Sequence, residues 1–295
     1  LNLPKKLTLV PLKEKIKELE RVYLAVQKEL GAELMGIDIG NYRELDAMKA
    51  QKRTNVLIAG LNRYAVRWAN QAVSQAYRKS YMIARTRLEI LGVAPDRAFN
   101  TEKHRQTVMS YANVMINDLL RGNMSIKTSV DTYLYLVRRA SQGLMQIQEF
   151  NVEDEAIIGE IIMDTIEEHR GHAYASKRMH DYFRVQLLDG QFISRKGRHY
   201  TLKYYSDLVA RTKLREAQTK ATLNTCEQYQ NDLVQWSRHA NPCPECAEHE
   251  GQVYSRSGTH PTYSLLTAEP PLHPQCEHDI TPTSEVAIRA REAYA

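Results

Sequence analysis

The chain has 295 residues, 43% hydrophobic and 25% charged, with a formal net charge of +5. That balance belongs to a folded soluble protein of one or two domains and excludes a disordered chain. No stretch approaches the run of about 18 apolar residues that crosses a bilayer, so no membrane span is expected.

Leu12 to Leu30 reads as an amphipathic helix. Leu12, Ile16, Leu19, Tyr23, Val26 and Leu30 step alternately by four and three, the seam of a short coiled coil, with Lys and Glu between them. The seam is too short for an extended coiled coil, so the helix is expected to dock on another helix of the chain or of a second subunit. Gly31, Gly36 and Gly40 are read as a connection.

Tyr42 to Leu91 is the strongest helical signal, closed by Gly92 and Pro95. Leu57, Leu61, Ala65, Trp68, Ala72, Ala76, Ile83 and Ile90 share one face, and Gly60 marks a candidate bend. Lys52, Arg53, Arg63, Arg67, Arg78 and Arg85 gather on the opposite face. Residues 51–100 hold nine Lys/Arg against two Asp/Glu, so the positive charge of the chain is concentrated here. Such a stripe is either a solvated helix surface or a phosphate-neutralising one, and in the second case binding is sequence-independent and salt-sensitive.

Two further helices are expected at Thr101 to Leu120, ending near Gly122, and at Ile126 to Phe150. Val152 to Leu187 reads as another, with Glu153, Asp154 and Glu155 in its first turn. Its His169, His172 and His180 lack an accompanying acidic constellation and are read as surface histidines. Texture changes at Asp189-Gly190. Gln191 to Arg195 and Arg198 to Leu202 form a hairpin pattern around Lys196-Gly197. A helix from Tyr204 to about Gln230 follows, then strands at Leu233 to Arg238 and Gln252 to Ser255.

The stretch Asn241 to Asp279 carries the chemistry. It contains Cys243 and Cys246, then His273 and Cys276, in the spacing C-x2-C-x26-H-x2-C. Each pair can supply two corners of a tetrahedral zinc site. Pro242, Pro244, Pro270, Pro271 and Pro274 are expected to keep the ligand backbone in turns and out of helix. Three of the four cysteines lie here, which suits a reducing compartment and a metal better than disulfides. The alternative is a pair of proline-rich turns with ordinary reduced thiols. His239, His249 and His278 stand close enough in the chain to replace one of the four ligands. The stretch is acidic, so DNA contact is expected on the Lys52 to Arg85 stripe instead. No GxSxG, P-loop or GxGxxG pattern is present, and Cys226 has no cation beside it in the sequence to activate it.

The Tyr205 to Arg215 helix with Arg211-Thr212, the Ser237-x-His239 turn, the run Glu250 to Ser255 and His273-Pro274-x-Cys276-x-His278 occur in this order over roughly the last 105 residues. As an ordered set they resemble the phage minor capsid protein 2 family, related to the Mu F-like head morphogenesis proteins. The family usually has arginine where this chain has Glu277, and many members lack one or both cysteines of the first pair. The resemblance implies a structural, non-enzymatic virion protein acting in head assembly at the portal vertex. Its implied partners are the portal protein, major capsid or scaffold proteins, and packaged double-stranded DNA met non-specifically, with an influence on genome exit. Its implied location is the virion, and the host cytoplasm during assembly. The competing reading is a metal-dependent His-Asn-His-type nuclease using His239, His249 or His278 as base and Asp279 or Glu250 as metal ligand. The expected fold is mainly α: an N-terminal helix (1–35), a long-helix bundle carrying the basic helix (36–188) and a small zinc-stapled α+β module (189–295).

Overall fold

A computed structural model describes residues 12–37, 42–93, 101–143, 192–193, 199–200, 202–240, 242–274 and 276–293. The elements in order are helices α1 (Leu12–Met35), α2 (Glu44–Ile90) and α3 (Thr101–Gly143), strands β1 (Phe192–Ile193) and β2 (His199–Tyr200), and helix α4 (Leu202–Gln228). After these come β3 (Leu233–Trp236), α5 (Pro244–Ala247), β4 (Val253–Ser255), β5 (Ile280–Pro282) and α6 (Glu285–Glu292). The chain is mainly helical with a small C-terminal sheet, as its periodicity leads one to expect. No described helix is long and apolar enough to cross a membrane. The reading of 152–187 as a helix, with its three histidines, falls outside the described residues.

The chain divides into two compact units, each assembled from separated stretches. One comprises Lys17–Val66 and Asp118–Asp207; the other comprises Leu1–Ile16, Arg67–Asn117 and Leu208–Ala295. In the first unit, Leu19, Tyr23, Leu30 and Leu34 of α1 are buried with Ile58, Leu61 and Ala65 of α2 and Val130, Tyr133 and Val137 of α3. The α1 seam is therefore covered within the chain. Gly31 does not interrupt it: α1 runs on to Met35. Gly60 does not break α2 either, which is one helix from Glu44 to Ile90.

Gly122 is a second glycine whose role differs from expectation. The two helices read on either side of it are one helix, α3. A Cβ at Gly122 would meet Cε1 and Cδ1 of the Tyr205 ring at 2.8 and 2.9 Å. The glycine is there for close approach and not as a cap. Beside it the buried Asn123 donates through Nδ2 to Asn62 Oδ1 at 2.7 Å. β1 and β2 pair antiparallel, with Phe192 opposite Tyr200 and Ile193 opposite His199, which is the hairpin read from the alternation.

In the second unit, β3 lies between β4 and β5, antiparallel to both. One face of this sheet packs on α4: Leu223, Cys226, Val234, Trp236 and Ile280 form a buried cluster, flanked by Tyr254, Leu266, Ala268 and Leu272. Ala69, Ala72, Val73, Ala76, Tyr77, Ala84 and Leu88 are the buried positions of α2 here. Ile83 and Ile90, expected on that face, are instead 54% and 79% exposed. The neighbours of the helix change at this end, where Arg87 donates through Nε to the Pro282 carbonyl at 2.9 Å. The stripe turns to follow them, a change that periodicity cannot register. A polar knot ties three helices: Asn224 Nδ2 donates to Tyr77 Oη at 2.9 Å and to Thr107 Oγ1 at 3.0 Å, while Tyr77 Oη lies 2.8 Å from His104 Nδ1.

β5 and α6 lack a clear sequence signature. β5 is a three-residue edge strand containing Pro282, a residue tolerated at an edge because no inner partner needs its missing N–H. α6 is capped by Ser284, whose Oγ accepts the Ala287 N–H at 3.3 Å.

Candidate metal centre

β3 and the start of β5 form the floor of the site. At their ends, Ser237 N donates to the Asp279 carbonyl at 3.0 Å, and Asp279 N donates to Ser237 Oγ at 3.1 Å. The chain leaving β3 reaches Cys243, which stands at the N-cap of α5 with Pro244 in the first turn. Cys243 O accepts N–H groups from Cys246 at 3.0 Å and Ala247 at 2.9 Å, closing a single helical turn. This corrects the expectation that the prolines exclude helix. Proline lacks only an N–H that the first turn does not use, so Pro244 starts the helix that brings both thiols to one side. The second pair is closed likewise, with Cys276 N donating to His273 O at 3.1 Å.

The two pairs meet. Cys243 Sγ lies 3.0 Å from His273 Nε2, and Cys246 Sγ lies 3.5 Å from the same nitrogen. Cys246 Sγ is 3.8 Å from Cys276 Sγ, which in turn is 3.6 Å from His278 Nδ1. Two triads result, Cys243–Cys246–His273 and Cys246–Cys276–His278, and they share Cys246. A tetrahedral ion about 2.3 Å from each sulfur would space its sulfurs by about 3.8 Å, the separation seen between Cys246 and Cys276. The donors are soft thiols and imidazoles, a set suited to zinc and poorly suited to magnesium or calcium. The cluster can thus hold a metal ion.

The electrostatics point the same way. Burial opposes ionisation of Cys243, but hydrogen bonds from Cys246 and His273 and the charge of His273 outweigh it and hold the thiol below its ordinary range. Burial, followed by the adjoining thiols of Cys243 and Cys276, pushes Cys246 far above that range. His273 is raised first by its bond to the Pro274 carbonyl, at 2.9 Å from Nδ1, and then by Cys243, with burial opposing. Three thiols this close cannot all ionise unless a cation compensates them.

The remaining sequence candidates sit apart from the ligand atoms. His249 stacks on Trp236 with ring centroids 4.6 Å apart, and its Nδ1 lies 2.7 Å from Tyr254 Oη. His239 faces Ser237 Oγ through Nε2 at 3.0 Å, and its ring packs edge-on to His278. Glu250 holds His278 Nε2 with one carboxylate oxygen and accepts the His239 N–H at 2.8 Å with the other. The Glu250–His278 pairing spans 28 residues of sequence, and no spacing rule would have found it.

Lys52, Arg53, Arg63, Arg67, Arg78 and Arg85, the stripe on α2, are all exposed. Arg53 is paired with Glu29 and lies 3.9 Å from Glu33, and Arg85 is paired with Glu89 at 2.8 Å. Among the described residues, no carboxylate forms an ion pair with Lys52, Arg63, Arg67 or Arg78.

Residues 156–284 match the family model for phage minor capsid protein 2. The match covers a little under half of the chain, begins ahead of the stretch that carries the visible resemblance, and includes both Cys/His pairs. No curated protein and no solved structure matches the chain.

Proposed function

We propose that this chain, whose residues 156–284 match the family model for phage minor capsid protein 2, is a structural component of a tailed-phage head, closed at its C-terminal end by one zinc ion and acting at the portal vertex during head assembly. The observation that carries the structural part of this reading is the meeting of two distant Cys/His pairs at Cys246. An ion held by four protein side chains has no open position for a reactive water, so its contribution is to folding and not to catalysis. Cys243, Cys246, His273 and Cys276 are the ligands the sequence spacing nominates, with His278 a fifth donor within reach. The module they close is the 189–295 stretch, set beyond the N-terminal helix (1–35) and the helical part (36–188).

The partners in this reading are the portal protein, the major capsid or scaffold proteins, and the packaged double-stranded DNA. Of the stripe on α2, Lys52, Arg63, Arg67 and Arg78 are exposed and available to phosphate, whereas Arg53 and Arg85 already have carboxylates to satisfy. Each phosphate neutralised contributes about 0.9 to the slope of log K against log salt. Four such contacts therefore correspond to a slope of about 3 to 4. The protein works inside the virion, after assembly in the host cytoplasm, and influences exit of the genome.

Two measurements test the reading. Metal analysis of the purified chain should return one zinc per chain. Imaging of particles carrying a tagged copy should place it at the portal vertex, and a uniform distribution over the shell would rule that location out. Magnesium- or manganese-dependent cleavage of plasmid DNA, lost in a His239→Ala variant, would replace the structural reading with the nuclease one.

A further inference from the structure

His273 and His278 both present a nitrogen to the thiols, so the spacing alone does not decide which of them is a ligand. The partners of their far nitrogens, and their burial, do separate them. His278 Nε2 faces a Glu250 oxygen, a group that accepts and does not donate when ionised. The other oxygen of Glu250 accepts the backbone N–H of His239 at 2.8 Å, so the carboxylate is held from two sides with both oxygens acting as acceptors. The proton of a neutral His278 therefore sits on Nε2 and leaves the Nδ1 lone pair facing Cys276. This arrangement of carboxylate, imidazole and thiolate is how proteins orient a metal-bound histidine and raise its basicity.

The pair is also enclosed. The side chains of His278 and Glu250 are 6% and 17% exposed, and the Trp236 ring packs against His278 with centroids 5.7 Å apart. Cys246, Cys276 and His278 form the fully buried triad, whereas Cys243 and His273 of the other triad are half-buried. The outer partner of His273 is the carbonyl of its own neighbour Pro274, within the same turn.

We propose that His278, and not His273, closes the metal shell with Cys243, Cys246 and Cys276, and that Glu250 is the positioning residue that sets its ring and tautomer. His273 then lies just outside, against Cys243. This rests on the metal reading above and specifies its ligands. It gives the run Glu250-Gly251-Gln252 a role that no pattern of metal ligands would assign to it.

The test uses the full chain, loaded with zinc for affinity and with cobalt(II) for its visible spectrum. His273→Ala should keep one ion, with affinity within about threefold of wild type and an unchanged cobalt spectrum. Glu250→Gln should still bind one ion but lose about 10- to 100-fold in affinity, as outer-shell changes do. His278→Ala should lose the ion under conditions where His273→Ala retains it. Because His278→Ala risks misfolding, His278→Cys supplies a second arm: it should restore binding and strengthen the sulfur-to-cobalt charge-transfer band. Loss of the ion in His273→Ala with retention in His278→Ala overturns the assignment. Unchanged affinity and spectrum in Glu250→Gln overturns the positioning role. A wild-type chain that takes up neither metal overturns the underlying metal reading together with this one.

Discussion

Removal of the ion is the most demanding perturbation, because its cost can be worked out beforehand. A ligand that binds only the folded state stabilises it by RT ln(1 + [L]/Kd), which is about 4 kcal/mol at a thousandfold excess over Kd. Structural zinc sites in small modules exceed that readily, with about 10 kcal/mol or more of apparent binding energy. The local core that must otherwise carry the sheet is the five-residue cluster of Leu223, Cys226, Val234, Trp236 and Ile280. A loss of about 4 kcal/mol is a large share of the 5–15 kcal/mol typical of a whole domain. The chain has two tryptophans, Trp68 and Trp236, so a Trp68→Phe background leaves Trp236, 1% exposed within the cluster, as the reporter. Urea unfolding followed by its fluorescence should show a lower midpoint after chelation, restored by added zinc. Cys246→Ser, which breaks both triads at once, should behave as the chelated wild type whether or not zinc is added. Coincident unfolding curves with and without the metal would refute the reasoning, whatever the metal content of the protein.

Four further outcomes are expected. Gly122→Ala gains about 1 kcal/mol of helix propensity but forces a methyl against the Tyr205 ring, an overpacking that costs about 1–3 kcal/mol; calorimetry should find the variant less stable than wild type. Burial drives the Cys226 thiol up to about 12, whereas Cys243 is held below its ordinary range, so mass spectrometry of chelated, still folded protein should find iodoacetamide on Cys243 before Cys226. Burial resists ionisation of Asp232, yet the bonds from Ser255 and Ser257 outweigh it and hold its carboxyl below the ordinary range. A depressed folded pKa contributes stability that is present above the unfolded value of about 3.9 and is lost as pH falls through the folded one. Urea midpoints of Asp232→Asn should therefore fall less steeply than wild type over that acid window. Replacing Lys52, Arg63, Arg67 and Arg78 together by Gln should abolish salt-sensitive DNA binding in a filter assay, and an unchanged salt slope would remove DNA from the partners of α2.

What the sequence disclosed and what it hid divide along the range of the interactions. The helices α1 to α4 and the strands β3 and β4 show in local periodicity, because a single buried face imposes the pattern on consecutive residues. Glycine was the main source of error. Gly31, Gly60 and Gly122 read as breaks, yet all three lie inside continuous helices, and the reason visible at Gly122 is the ring of Tyr205, 83 positions away in the chain. Ile83 and Ile90 were misplaced for a similar cause, since the stripe on α2 turns where its neighbours change. At the candidate metal centre the two Cys/His pairs that meet in space are legible because C-x2-C and H-x2-C are local. The orientation of His278 by Glu250 and the edge strand β5 were not, since each depends on residues far away in the chain.

The connection between β4 and β5 shows why a cross-link is physically needed here. It runs from residue 256 to residue 279 and has no helix or strand of its own among its described residues, apart from one bridge between Ser255 and Leu265. Connections of that length inside a compact unit are usually either mobile or held by something other than secondary structure. The near end is held by polar bonds: Leu266 N donates to Ser255 O, and Gly258 N donates to Ser255 Oγ, both near 2.9 Å or less. Leu266, Ala268 and Leu272 then lay its middle on the small core. Beyond Leu272 the described residues are fastened before β5 by the Cys/His cluster, by the pairing of His278 with Glu250 and by the two bonds between Asp279 and Ser237. Without an ion, the thiol and imidazole contacts of Cys243, Cys246, His273 and Cys276 are weak and offset little of the backbone entropy of ordering the turn, about 1–2 kcal/mol per residue. With an ion bound, the same atoms tie the turn to α5, and through α5 to the end of β3. The cluster thus stands where secondary structure supports the connection least, a place where a bound ion would add to the stability of the fold.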